Sequence, residues 1–188
     1  MRLALYTFGV FRRSADDPAN ETFSQLNAPL FALSEASAGF LERSGHAGEP
    51  GPASWGPERY PRFYTERGDG WSPATLSLWA SMEAALAYIH HGPHAEAMRR
   101  GAEWFVPPRW PPYVAWWADA RPTWAEGAAK LEALADHGAR PDAFSFREAF
   151  DPAGRPYRVD GREVTVLARR NAAAAEGNAK AAPAVATS

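Results

Sequence analysis

His94 is the residue whose neighbours most invite chemistry. It follows Pro93, and proline suits the first turn of a helix, where its missing N–H would have had no partner. The positive end of the helix dipole disfavours an imidazolium there. A neutral ring is therefore expected, able to act as a general base or as an axial ligand to haem; the plainer reading is a half-buried histidine donating to a backbone carbonyl. Arg99 and Arg100 follow on the same helix and point to different sides, with Glu96 and Glu103 three or four residues away. Surface pairs of that kind contribute only about 0.3–0.5 kcal/mol. One arginine is expected to be spent on such a pair, and the other is a candidate to hold a carboxylate or phenolate. His90 and His94 have the spacing of a helical metal pair, but Gly92-Pro93 interrupts the helix between them and no nearby carboxylate completes a set. No metal site is expected.

Around these polar groups lies an unusual density of rings. Residues 94–120 hold four of the eight tryptophans and a run of prolines, which either line a small-molecule pocket or fill a core. Burial of a tryptophan is favourable enough to explain its presence without a ligand. Trp79, Trp104, Tyr113 and Trp116 are the candidates to form one aromatic cavity between sheet and helices. Asn27 stands among apolar residues in mid-helix and calls for a partner, either a ligand or a bond beside Pro29. Patterns for a Ser/His/Asp triad, a P-loop or a dinucleotide site are missing; the glycine runs at 45–48 and 68–70 read as turns.

The elements that must position these groups follow from periodicity. Residues 2–10 alternate as a strand does. From Glu21 the apolar residues Phe23, Leu26, Leu30, Phe31 and Leu33 recur at helical spacing, with Pro29 expected to kink or split the helix. Residues 40–44 read as a second strand. The Gly- and Pro-rich stretch 45–70 carries its own aromatics, as a functional loop or lid does, or as an insertion covering a sheet edge does. Residues 74–80 make a third strand, with Thr75, Ser77 and Trp79 on one face and Leu76 and Leu78 on the other. Ser81 caps a helix to about His91, a second helix runs from His94 to about Phe105, and 113–118 is an apolar, interior strand. Thr123 and Glu126 form a capping box for a helix that ends at His137-Gly138. The order is β-α-β-β-α-β with an appended helix: an α+β, ferredoxin-like split βαβ fold with a four-stranded antiparallel sheet, over residues 1–150. Its two helices cover one face of the sheet. The other face, with Trp79 and Trp116 or Trp117, is expected to be open and to be buried in a homodimer. Residues 151–166 read as an extension, and the Ala-rich 167–188 as a disordered tail.

Bulk properties narrow the function classes. A chain of 188 residues with 46% hydrophobic content suits one domain with a real core. Net charge is −2, and the basic residues form only short pairs such as Arg12-Arg13, so no nucleic-acid partner is expected. The chain has no cysteine, which excludes disulfides and thiolate metal sites. No apolar run approaches the roughly 18 residues of a membrane helix. The N-terminal residues read as a strand rather than a signal peptide. A cytoplasmic protein with no membrane partner is the expectation.

Motifs in order along the chain carry a resemblance: Asn27-Ala-Pro29, Ala36-Ser-Ala-Gly39-Phe40, Thr75-Leu-Ser-Leu-Trp79, His94-Ala-Glu-Ala-Met-Arg-Arg, Glu103-Trp-Phe105, Trp116-Trp117, Pro122-Thr-Trp124 and Pro141-Asp-Ala-Phe144-Ser-Phe146. Over about residues 3–150 the chain resembles the bacterial family called domain of unknown function 3291. That family resembles the dimeric α/β-barrel superfamily of antibiotic-biosynthesis monooxygenases, isomerases, haem degraders and stress-response proteins. One departure is Asp119-Ala120-Arg121, where the family often has Gly-His. The resemblance implies the fold and a dimer, whereas one fold hosts many chemistries. The leading expectation is binding of, or monooxygenase- or isomerase-like action on, a hydrophobic or aromatic metabolite without a cofactor, with His94 as base and Arg99 or Arg100 orienting an anion. Haem binding through His94, or a non-catalytic stress-related dimer, are the alternatives.

Overall fold

Strand β1 (Arg2–Phe8) is almost wholly buried, and the sheet grows outward from it. It pairs antiparallel with β3 (Ala74–Trp79) on one side and β4 (Tyr113–Ala118) on the other; β2 (Phe40–Arg43) pairs with β3, giving the order β2-β3-β1-β4. Helix α1 (Glu21–Glu35) joins β1 to β2, and α2 (Met82–Ile89) with α3 (Gly92–Trp104) joins β3 to β4. This is the expected α+β arrangement of a ferredoxin-like fold. The structure, a computed structural model, describes residues 1–65 and 70–181, with side chains as far as residue 176.

Register decides which side chains can meet. Leu3 stands opposite Trp79 and Trp117, Leu5 opposite Ser77 and Ala115, and Thr7 opposite Thr75 and Tyr113. Side chains alternate along a strand, so these residues share one face, against which α2 packs Met82, Ala84, Ala85 and Tyr88. Ala4, Tyr6 and Phe8 share the other face with Leu76, Leu78, Val114 and Trp116.

The second face is not open, contrary to the sequence expectation. Helix α4 (Trp124–His137) lies on it and contributes Trp124, Leu131 and Leu134, while Trp55, Tyr60, Phe63 and Tyr64 of the loop after β2 complete the cover. The chain folds its own loop over the apolar surface that a second copy was expected to bury. Gly127 permits the close approach of α4: a Cβ there would come within 2.7 Å of the Tyr6 ring.

The helix starts follow their caps. Ser81 accepts from Ala84 N–H at 3.1 Å and Thr123 from Glu126 N–H at 3.2 Å. The Glu126 carboxylate does not turn back to the cap but accepts the Trp116 indole N–H at 2.9 Å. Pro29 neither splits nor ends α1. Pro29 and Gln25 are both exposed, so water can serve the Gln25 carbonyl that a proline at 29 leaves without its N–H.

Beyond α4 the chain returns to the sheet. Phe144 and Ala115 exchange two backbone hydrogen bonds at the outer edge of β4. A short hairpin of β5 (Ala149–Phe150) and β6 (Pro156–Tyr157) follows. Helix α5 (Gly161–Ala181) then packs on α2, burying Ala168 and half-burying Leu167. The expectation of a disordered 167–188 therefore gives way to helix as far as residue 181; residues 182–188 lie outside the described residues. Alanine has the highest helix propensity of all residues, and a few apolar side chains suffice to seat the helix.

Candidate functional site

His94 is half-buried at the start of α3. Its Nδ1 lies 3.1 Å from the Ile89 carbonyl. A carbonyl can only accept, so Nδ1 carries the proton and Nε2 keeps its lone pair. Burial lowers the pKa of the ring, against a smaller opposing effect of the Ile89 hydrogen bond. The ring packs 4.6 Å from Tyr88, which stacks on Trp79, and Trp79 meets Phe40 edge-on. His94 thus ends a column of rings rising from the sheet.

The other expected residues do not join it. Arg99 is paired with Glu96 and largely exposed. Arg100 grips Glu103 through two hydrogen bonds and lies 4.9 Å over the Trp104 ring; both arginines are spent on solvated pairs. Trp104 is buried at the end of α3 against Phe23 and donates to Thr22 at 3.0 Å. Tyr113 stacks on Phe146 and accepts its N–H at 3.1 Å, and desolvation raises the pKa of its phenol. Trp79 donates to Ser77 on the α2 face, whereas Trp116 donates to Glu126 on the α4 face. The sheet itself separates Trp79 and Tyr113 from Trp116, so the four rings line no common cavity. Asn27 is half-buried on α1, and its side chain has no hydrogen-bond partner among the described residues.

These placements also test a haem. The His94 ring presents the nitrogen and the fixed tautomer that a ligand needs. The tryptophan walls expected around it are not assembled: Trp79 and Trp116 lie on opposite faces of the sheet, and Trp104 packs on Phe23.

A cleft follows the free edge of β2. It measures about 330 Å³ and is lined by Phe40, Trp55, Arg43, Arg121, Glu35 and Glu42, together with Pro52 and Ala53. A β-bulge between Phe40 and Glu42 builds it. The extra residue shifts the alternation, so that Glu42 falls opposite Leu78 and Arg43 opposite Ser77. Gly45 brings the loop in: its N–H donates to the Ala53 carbonyl at 3.2 Å, and a Cβ at position 45 would collide with the Pro52 carbonyl oxygen. Ser44 Oγ then accepts the Trp55 N–H at 2.9 Å, holding the indole at the cleft. Arg121 lies 5.4 Å over Trp55 and binds Glu42, which Arg2 also binds at 2.7 Å. Arg43 lies 4.0 Å over Phe31 and donates through Nε to Glu35 at 2.8 Å.

A second polar group was also unmarked in the sequence. His46 Nδ1 lies 2.6 Å from the Glu58 carboxylate, whose other oxygen accepts the Tyr60 hydroxyl at 3.0 Å. The His46 ring packs 5.2 Å from Trp124. The signal available for both places was the length and aromatic content of the loop after β2, with His46 hidden between glycines read as turn residues.

Fold and site together define an α+β protein with a ferredoxin-like sheet and a loop-walled cleft at its edge. The chain belongs to the family described as "Domain of unknown function (DUF3291)", which matches residues 2–160. No curated protein and no solved structure matches it. The matched region takes in the whole sheet, His94 and the cleft, and stops just before α5. Among the described residues no group of three or more His, Asp or Glu side chains could hold a metal ion, and no helix is long and apolar enough to cross a membrane.

Proposed function

We propose that this protein binds a small organic molecule with an aromatic or apolar body in the cleft along β2. The observation that carries the reading is the pairing of Phe40 and Trp55 with a charged rim in a space of about 330 Å³. Ligand sites run from roughly 300 to 1,000 Å³ and combine apolar walls with a few fixed polar groups. A molecule of one ring and a short side chain suits the lower end of that range. Saturation transfer NMR with a panel of one-ring metabolites tests it: at least one should bind saturably, and Trp55→Ala should weaken it tenfold or more. Failure of every compound to saturate, or indifference to Trp55→Ala, removes the reading.

A second reading is favoured by the His94 tautomer. A neutral imidazole with Nδ1 held by a carbonyl leaves Nε2 as a proton acceptor, as an isomerase- or monooxygenase-like step on an aromatic metabolite requires. This reading sets catalysis at α3 rather than at β2. A turnover assay comparing the wild-type protein with His94→Ala and with Trp55→Ala separates the two, since each reading expects only its own variant to lose function.

A further inference from the structure

We propose that the ligand of the β2 cleft is a carboxylate, clamped by Arg43; this rests on the cleft reading above and names its ligand class. Three guanidiniums, of Arg2, Arg43 and Arg121, face two carboxylates, of Glu35 and Glu42. Glu42 is bound twice, by Arg2 and by Arg121. Arg2 does not line the cleft, and by binding Glu42 from outside it leaves less of that carboxylate's charge for Arg121. Arg43 is the group with donor capacity to spare. Its Nε takes one oxygen of an exposed Glu35, its Nη1 makes a single long contact of 3.5 Å with the Ser44 carbonyl, and Nη2 has no hydrogen-bond partner among the described residues.

The guanidinium is also held still. Its side chain is 12% exposed and rests on Phe31, so its donors are pre-oriented at little further entropic cost. The Nη edge faces Gly51, where a Cβ would lie 3.5 Å from Nη2 and 3.9 Å from Nη1. Two parallel N–H groups match the two oxygens of a carboxylate in a planar fork, a geometry that a lone ammonium does not offer. Phe40 and Trp55 then receive the apolar body of the ligand.

Calorimetric titration of the full chain with phenylacetate and with phenylacetamide, its neutral near-isostere, tests the inference. Phenylacetate should bind at least tenfold tighter, and its advantage should shrink as salt is raised. Arg43→Gln should abolish that advantage, weakening phenylacetate far more than phenylacetamide. Arg43→Lys, which keeps charge and stem without the fork, should retain only part of it, and serves if the glutamine variant does not fold. Equal affinity of the wild-type protein for the two probes overturns the carboxylate inference and leaves the cleft reading standing. Absence of saturable binding by either probe, with no perturbation of Trp55, overturns both.

Discussion

Gly127 of α4 sits directly over the ring of Tyr6, so that a Cβ at position 127 would come within 2.7 Å of the ring. Tyr6 is fully buried in β1 and packs edge-on against Trp124, which leaves it no room to yield. Alanine would gain about 1 kcal/mol of helix propensity, but overpacking a tight core costs about 1–3 kcal/mol. Gly127→Ala should therefore lower stability, by about 1 kcal/mol on balance, measured by urea denaturation. A rise in the midpoint would show that α4 is not seated on this face.

Glu83 fastens the C-terminal segment to α2. The buried carboxylate accepts the Tyr157 hydroxyl at 2.9 Å and the Asp160 N–H at 3.1 Å, just before α5 begins. The first of these bonds, with a smaller desolvation effect, pushes the Tyr157 phenol up to about 12 from 10.0. A folded-state pKa raised above its unfolded value gives stability that is complete below pH 10 and is lost as pH climbs through about 12. The wild-type protein should lose stability across that alkaline window, and Tyr157→Phe should flatten this part of the profile. Identical alkaline limbs for the two proteins would dismiss the contact.

The sign reverses for His94. Burial holds its folded pKa below 6.5, so the unfolded chain takes up the proton first as pH falls. Stability is full above 6.5 and declines as pH drops from there through the lowered folded value. His94→Gln should flatten that acidic limb in a series of thermal melts. Nitrogen-15 shifts of the imidazole should also report a proton on Nδ1 at neutral pH. A proton on Nε2 would contradict the Ile89 hydrogen bond.

Much of the scaffold is legible in residue order. The apolar run 113–118 became β4 with the same bounds, and the faces assigned to Thr75, Ser77 and Trp79 against Leu76 and Leu78 hold in the sheet. Thr123 and Ser81 cap the helices expected of them. Contacts between distant residues are where the reading stops. Trp124 donates to Ser54 at 3.3 Å across 70 residues, and Arg62, whose N–H binds Glu132, pairs with Asp136. No local pattern announces that a Gly- and Pro-rich loop will close a sheet face. Parity is equally hidden: only the register of β4 against β1 shows that Trp116 and Trp79 lie on opposite faces. Arg43 owes its place to a bulge of one residue, which a short strand read by alternation does not reveal.

The loop closure carries a prediction of its own. Glu58→Gln keeps the shape of the carboxylate that His46 and Tyr60 share but removes its charge. A charge-assisted hydrogen bond in a half-buried place contributes about 1.5–3 kcal/mol, so the variant should melt earlier. Amide hydrogen exchange should also speed up in residues 44–60. Unchanged exchange there would mean that packing on Trp124 alone holds the loop.

The most direct test of the cleft is chemical-shift mapping of the full chain during titration with phenylacetate. Saturable shifts should gather on Phe40, Glu42, Arg43, Ala53, Trp55 and Arg121, with His94 and Trp104 unmoved. Shifts centred instead on Tyr88, His94 and α3, or no saturable shifts, would contradict the cleft reading.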